Sequence, residues 1–167
     1  RVLDLWARYE TSTVLWGKLF KRKLWYFTFE QIPVTYIVGG NDILISFFLF
    51  LYAKSFNGIL ENVIYYLDGG ISNSVYKSVN DFYKIFTEVY AFEIITNFKM
   101  YNPNLLTKEQ KGLIELKIEY SLFFMLGYLK KCIPEIQPEV TNMIKNAYGT
   151  ELVGRVLSNM KLGMYNA

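Results

Sequence analysis

The sequence predicts an all-α protein, a compact bundle of five or six helices whose N-terminal helix is amphipathic, basic and aromatic. Apolar residues recur at helical spacing in most segments, and no segment alternates apolar and polar residues over the length of a strand. Gly, Pro and Asn separate the segments. The chain has 167 residues, enough for one core, so we expect one domain over 1–167, with a basic N-terminal helix in 1–30 and a helical core in 41–167.

The first predicted helix runs from about residue 2 to residue 27. Its apolar residues fall on one helical stripe, and charged residues lie off that stripe. The stripe consists of Leu5, Trp6, Tyr9, Trp16, Phe20 and Leu24. Pro33 blocks a continuation of the helix, and Gly39-Gly40-Asn41 is typical of a loop that ends in a helix cap.

The second predicted helix, from Asp42 to Leu67, contains the most apolar run of the chain. This run, 43–53, is interrupted only by Ser46. Eleven helical residues cover roughly 16 Å, whereas the hydrocarbon core of a bilayer is about 30 Å thick. Charged residues flank the run on both sides, so we expect a buried central helix and not a membrane span.

A third helix is predicted to begin near Ser74, because apolar residues recur there at alternating spacings of four and three. These residues are Val75, Val79, Phe82, Phe86 and Val89. On the opposite side, Lys84 and Glu88 have the spacing of an ion pair along a helix. The helix is expected to end before Asn102-Pro103.

The last part of the chain predicts one long helix followed by two short ones. Thr107 and Gln110 have the spacing of a capping box. The buried side of the long helix is expected to comprise Leu113, Leu116, Tyr120, Phe123, Phe124 and Gly127. Pro134 and Pro138 end this helix, and the two short helices are expected over about 138–147 and 150–162.

The composition excludes several kinds of catalytic and metal site. There is no histidine, which excludes a His-based catalytic triad and histidine metal ligation. Cys132 is the only cysteine, so neither an internal disulfide nor a cysteine metal cluster can form. Glycine-rich phosphate loops and a nucleophile elbow are absent from the sequence. We therefore predict a protein that is not an enzyme, with no catalytic, cofactor-binding or metal-binding residues. An enzyme that uses carboxylates or tyrosines alone is the catalytic alternative.

The N-terminal 30 residues predict a surface that contacts a membrane or a partner. They contain six Lys or Arg against three acids, whereas the remainder has twelve of each, and all three tryptophans lie within the first 25 residues. Basic side chains beside Trp and Tyr are typical of segments at a membrane–water boundary. The candidate contacting residues are Trp6, Trp16, Lys18, Lys21, Arg22, Lys23, Trp25 and Tyr26.

Two other interpretations of the same N-terminal segment remain open. The helix could pack its tryptophan stripe on the rest of the domain and leave its lysines in solvent. Basic and aromatic residues also occur together in proteins that bind single-stranded nucleic acid. No nucleic-acid-binding motif is present and the rest of the chain is neutral, so nucleic acid is not expected as a partner.

The aromatic content and the absence of catalytic motifs predict a non-catalytic accessory subunit of a membrane-associated multiprotein complex. Its expected partners are other protein subunits and anionic lipid at the membrane surface. The expected location is the mitochondrial inner membrane: the chain begins at Arg1 and not at Met, which removal of a transit peptide would explain, as would a fragment. The alternative is a soluble, cytoplasmic helical module that binds a partner helix or peptide.

Overall fold

The structure, a computed structural model, describes residues 2–8, 10–15, 17–58 and 74–165, and within this part the chain is all-α, as predicted. The helices are α1 (Val2–Ala7), α2 (Arg22–Gln31), α3 (Asn41–Tyr52), α4 (Val79–Phe86), α5 (Glu88–Tyr101), α6 (Lys108–Leu129), α7 (Gln137–Tyr148) and α8 (Thr150–Lys161). A short 3₁₀ turn at Pro134–Ile136 precedes α7. The described residues contain no strand, and one isolated parallel bridge pairs Tyr76 with Cys132.

The predicted first helix over residues 2–27 is wrong, because two separate helices, α1 and α2, occupy this region. Described residues between them form no helix. Hydroxyl side chains compete with helical hydrogen bonds, and the Ser12 hydroxyl here accepts the Val14 amide at 3.2 Å. Gly17 has a φ of +78°, which interrupts a right-handed helix. The helix is therefore broken at Thr11-Ser12-Thr13 and Gly17, although the apolar residues continue at helical spacing.

The central helix α3 is buried, as the sequence predicts. Five of its apolar side chains are buried: Leu44, Phe47, Phe48, Leu49 and Phe50. The helix ends at Tyr52, earlier than predicted, because the chain becomes extended at Ala53. The rest of the predicted helix, from residue 59 to Leu67, lies outside the described residues. None of the helices in the described part combines the length and apolar character needed to cross a bilayer.

Buried apolar side chains form two clusters. The first gathers residues of α1, α3 and α5, including Trp6, Phe47 and Ile95. The second gathers residues of α4, α6, α7 and α8, including Phe82 and Val156. The long helix α6 contributes to both, because its first half packs on the first cluster and its second half on the other. The single domain over 1–167 stays a prediction.

The junction of α4 and α5 holds the loop that precedes α3. The amide N–H groups of Val38 and Gly39 donate to the Thr87 hydroxyl oxygen at 3.0 and 2.9 Å. The hydroxyl itself donates to the Lys84 carbonyl at 2.8 Å, and the Gly39 amide also donates to that carbonyl at 2.9 Å. Thr87 separates two helices where the sequence predicted one. The first of them begins at Val79, behind a Ser78 cap, and not near Ser74.

Two buried threonines are expected to respond in opposite ways to replacement by valine. Thr87→Val removes the acceptor of two amides, so we expect the free energy of unfolding to fall by about 2 kcal/mol. Thr28 is buried in α2, and its hydroxyl has no hydrogen-bond partner among the described residues. Thr28→Val removes a buried unsatisfied group, so we expect a rise of about 1 kcal/mol. Urea unfolding measures the free energy of unfolding of both variants. Equal changes in the two variants would contradict the prediction.

The helix α6 begins with the predicted capping box, since the Gln110 amide donates to the Thr107 hydroxyl and the Thr107 amide to the Gln110 side chain. Its buried side was predicted only in part, since Leu113 and Phe123 are partly buried against the two clusters but three other predicted residues are exposed. Leu116, Tyr120 and Phe124 are 50%, 36% and 50% exposed. The buried side comprises Gln110, Ile114, Lys117, Ser121, Leu122, Met125 and Leu126. The apolar residues of α6 are distributed over most sides of the helix, so their spacing does not show which side faces the core.

Candidate membrane- and partner-contacting surface

The helix α2 presents a basic and aromatic face to solvent. Lys21, Arg22 and Lys23 are exposed at its N-terminal end. Large apolar side chains between residues 19 and 36 are exposed as well: Leu19, Tyr26, Phe27, Phe29, Val34 and Tyr36. We call this set of three cations and six apolar side chains the α2 surface. One exposed acid, Glu30, lies on the same helix, so the charge of the α2 surface and Glu30 together is +2.

Within α2, one of the three cations contacts one of the exposed rings. The Arg22 guanidinium lies 5.3 Å from the centre of the Tyr26 ring, and its Nη2 is 3.3 Å from the Tyr26 hydroxyl. A cation over an aromatic ring is attracted by the ring quadrupole. The cation and the ring are therefore presented together at the surface, and Tyr26 remains 56% exposed.

The same helix also packs on the core, in part through rings that remain partly exposed. Trp25 is partly buried and packs against Phe29, with ring centres 4.8 Å apart, and against the first hydrophobic cluster. Phe27 meets Tyr52 of α3 edge to face, with centres 4.9 Å apart. Such ring pairs add stability beyond the area that they bury. The helix that carries the exposed cations and rings is therefore packed on the core.

Two candidate residues are not on this surface. Trp6 is completely buried, and its indole N–H donates to the Ser46 hydroxyl at 2.9 Å, which corrects its predicted place at a membrane or partner. The reason is that α1, separated from α2 by the helix break, packs its tryptophan against α3. Lys18 is partly buried, and its ammonium group donates to the Val14 carbonyl. Burial lowers the pKa of Lys18.

All of the remaining candidates except Trp16 lie on the α2 surface or directly beneath it. Lys21, Arg22, Lys23 and Tyr26 lie together on the α2 surface, with Trp25 partly buried beneath them. Trp16 lies outside the described residues. The candidate list lacked Phe27 and Phe29 of α2. It also lacked Leu19, Val34 and Tyr36, which adjoin α2 in loops. Helical spacing carries no information on loop residues, so no pattern could have identified these three.

A concave feature lies between α5 and α7. This cleft has a volume of about 700 Å³ and is open to solvent. Its described lining includes Tyr83, Tyr90 and Tyr148 together with Phe86 and Glu93. The hydroxyls of Tyr83 and Tyr90 are hydrogen-bonded at 3.0 Å. The α5–α7 cleft thus combines aromatic rings with a carboxylate.

A buried polar chain lies behind the wall of this cleft. The Ser121 hydroxyl donates to Glu88 Oε1 at 2.6 Å, and its oxygen is 2.9 Å from the Tyr148 hydroxyl, which therefore donates to it. Burial raises the pKa of Glu88 and that of Tyr148. The predicted ion pair of Lys84 with Glu88 is wrong. Lys84 instead lies 3.5 Å from Asp81, because Glu88 points into the interior.

Metal-ligating side chains are not clustered in the part of the chain that the structure describes, where no three Cys, Asp or Glu lie close enough together to hold an ion. No family model matches the chain, and no curated protein or solved structure is significantly similar to it.

Proposed function

We propose that this protein is a non-catalytic subunit of a membrane-associated protein assembly and that the α2 surface attaches it to an anionic membrane surface. The observation that carries the proposal is the exposure of Lys21, Arg22 and Lys23 beside Tyr26, Phe27 and Phe29 on one anchored helix. Basic side chains attract anionic headgroups, and aromatic rings favour the boundary between headgroups and acyl chains.

A second exposed apolar face supports contacts with other protein subunits. Leu116, Tyr120 and Phe124 follow one another at a spacing of four along α6, so they form a row on one side of the helix. Monomeric soluble proteins rarely expose extended apolar patches. The α6 row and the α2 surface together favour a subunit over a soluble module that functions as a monomer. The mitochondrial inner membrane stays a prediction of the sequence.

Removing the three cations of the α2 surface is expected to weaken binding to anionic vesicles. Each basic residue near such a surface contributes about 1 kcal/mol, so Lys21→Gln, Arg22→Gln and Lys23→Gln together should lower the binding constant roughly a hundredfold. The measurement is co-sedimentation with vesicles of phosphatidylcholine and phosphatidylglycerol, compared with phosphatidylcholine alone. Binding of the unmodified protein should also fall as salt is added.

A matched control removes the same charge elsewhere. Lys108, Lys130 and Lys161 are exposed on or beside other helices, and their replacement by Gln gives the same net charge as the α2 variant. We expect this control to bind nearly as well as the unmodified protein. If both variants lose affinity equally, attraction is set by net charge alone and the α2 surface is not the attachment site.

Membership of an assembly is tested separately from lipid binding. The native size of the protein, extracted from its source in mild detergent, shows whether it migrates within a larger complex. Migration in such a complex, lost when Leu116, Tyr120 and Phe124 are replaced by Ser, would support the subunit proposal. Migration at the mass of the chain, 19.6 kDa, with or without detergent would contradict it.

A further inference from the structure

The α5–α7 cleft has a charge that favours cationic ligands. Glu93 contributes a carboxylate to its lining, and none of the described residues that line it is Lys or Arg. Lys84, next to Tyr83 in the sequence, is instead close to Asp81. A concave site with acceptors and without a cation attracts positive ligands and repels anions.

The rings of the α5–α7 cleft add a second attraction for cations. Tyr83 and Tyr90 have ring centres 6.5 Å apart at an interplanar angle of 65°, and Phe86 lies 6.3 Å from Tyr83. Rings set at an angle to each other form the walls of sites that recognise ammonium groups, because the faces of their π-systems are negative. Apolar side chains such as Met143 and Ile118 also line the cleft and suit an alkyl group.

The wall formed by α7 is fixed from the interior. Tyr148 lines the cleft, and its hydroxyl is held by Ser121, which in turn donates to Glu88. The amide side chain of Asn146, on the same helix, supplies a further polar group at the cleft. A ring held by a buried hydrogen bond keeps its position when the ligand is absent, which reduces the cost of binding.

We infer that the α5–α7 cleft binds a small organic ammonium ion, with the rings of Tyr83 and Tyr90 against the cation and the Glu93 carboxylate as its counter-ion. This site shares no residue with the α2 surface, so ligand binding to it can be tested independently of membrane attachment. The apolar part of the ligand contacts Met143 and Ile118.

The test compares choline with 3,3-dimethyl-1-butanol, which has nearly the same shape and no charge. Each is titrated into the full chain, and binding is followed by NMR chemical-shift changes. We expect saturable shifts at the cleft residues and about tenfold tighter binding of choline than of the neutral alcohol. Equal binding of the two, or no saturable shift at the cleft, would overturn the inference.

Two pairs of variants locate the site. Glu93→Gln should weaken choline binding about fivefold, and Tyr90→Leu about tenfold. The controls are Glu139→Gln on α7 and Tyr101→Leu at the end of α5, both exposed and outside the lining. These controls should leave choline binding unchanged. Loss of binding in the controls equal to that in the cleft variants would show non-specific attraction and overturn the inference.

Discussion

Replacing Gly39 with alanine is expected to lower the free energy of unfolding by about 3 kcal/mol, at the upper end of the usual cost of overpacking. A Cβ atom at this position would lie 2.7 Å from the Ile85 carbonyl oxygen and 2.9 Å from the Ile85 Cα. Both atoms belong to backbone, so no side chain can turn aside to relieve the contact. The loop would have to move away from Thr87 and lose the hydrogen bonds that hold it there.

The control for Gly39→Ala is the same substitution in an open helical position. A Cβ atom at Gly154, in α8, would meet no atom within 4 Å. Alanine favours helix over glycine by about 1 kcal/mol, so Gly154→Ala should stabilise the protein. Urea unfolding monitored by circular dichroism gives both values. A Gly39→Ala variant as stable as the unmodified protein would show that this loop does not pack tightly on α4 and α5.

The Lys117→Met variant is expected to remove a pH dependence of stability. Lys117 is 2% exposed, with its Nζ 4.5 Å from the centre of the Trp6 ring. Burial lowers the pKa of Lys117 to about 7. The unfolded chain keeps its proton on this amine up to its ordinary pKa of about 10.4, so above about pH 7 the unfolded state binds more protons than the folded state. Stability therefore rises with pH.

Lys117 is expected to raise the free energy of unfolding by about 2 kcal/mol as the pH rises from about 7 to about 9. Cys132 and Tyr76 have the opposite effect, because burial raises the pKa of both, that of Tyr76 to about 12. They lower the free energy of unfolding in the upper part of this pH range and above it. Urea unfolding gives the free energy of unfolding of Lys117→Met and of the unmodified protein at each pH. The difference between the two values is the contribution of the lysine. Lys108→Met, an exposed substitution on the same helix, controls for the change of side chain. A pH-independent difference would contradict the prediction.

The same helix shows where sequence reasoning succeeds and where it does not. Local signals in α6 predicted its start correctly, because the capping box of Thr107 and Gln110 depends on residues three apart. Its inner side depends on contacts with distant helices. Lys117 and Ser121 face inward while Phe124 faces outward, opposite to the usual preference, so a pattern of apolar residues gives the wrong side.

The candidate surface was predicted in part for a similar reason. Lys21 to Tyr26 are contiguous in sequence, and α2 keeps them together at the surface. Trp6 was assigned to the same surface because one continuous helix was assumed, and its burial follows from the break after α1. The α5–α7 cleft unites residues more than fifty positions apart, such as Tyr90 and Tyr148, and therefore could not be found from local spacing.

The unequal placement of tryptophan between the two hydrophobic clusters determines what spectroscopy of this protein reports. Trp6 belongs to the first cluster and Trp25 packs against it, whereas the second cluster includes no tryptophan among the described residues, contains Tyr76 and has Tyr148 packed against it. The fluorescence of Trp6 and Trp25, excited at the red edge of the indole band, therefore follows the melting of one half of the core, and the absorbance of Tyr76 and Tyr148 follows that of the other. Coincidence of the two signals is accordingly a direct measure of folding cooperativity between the halves.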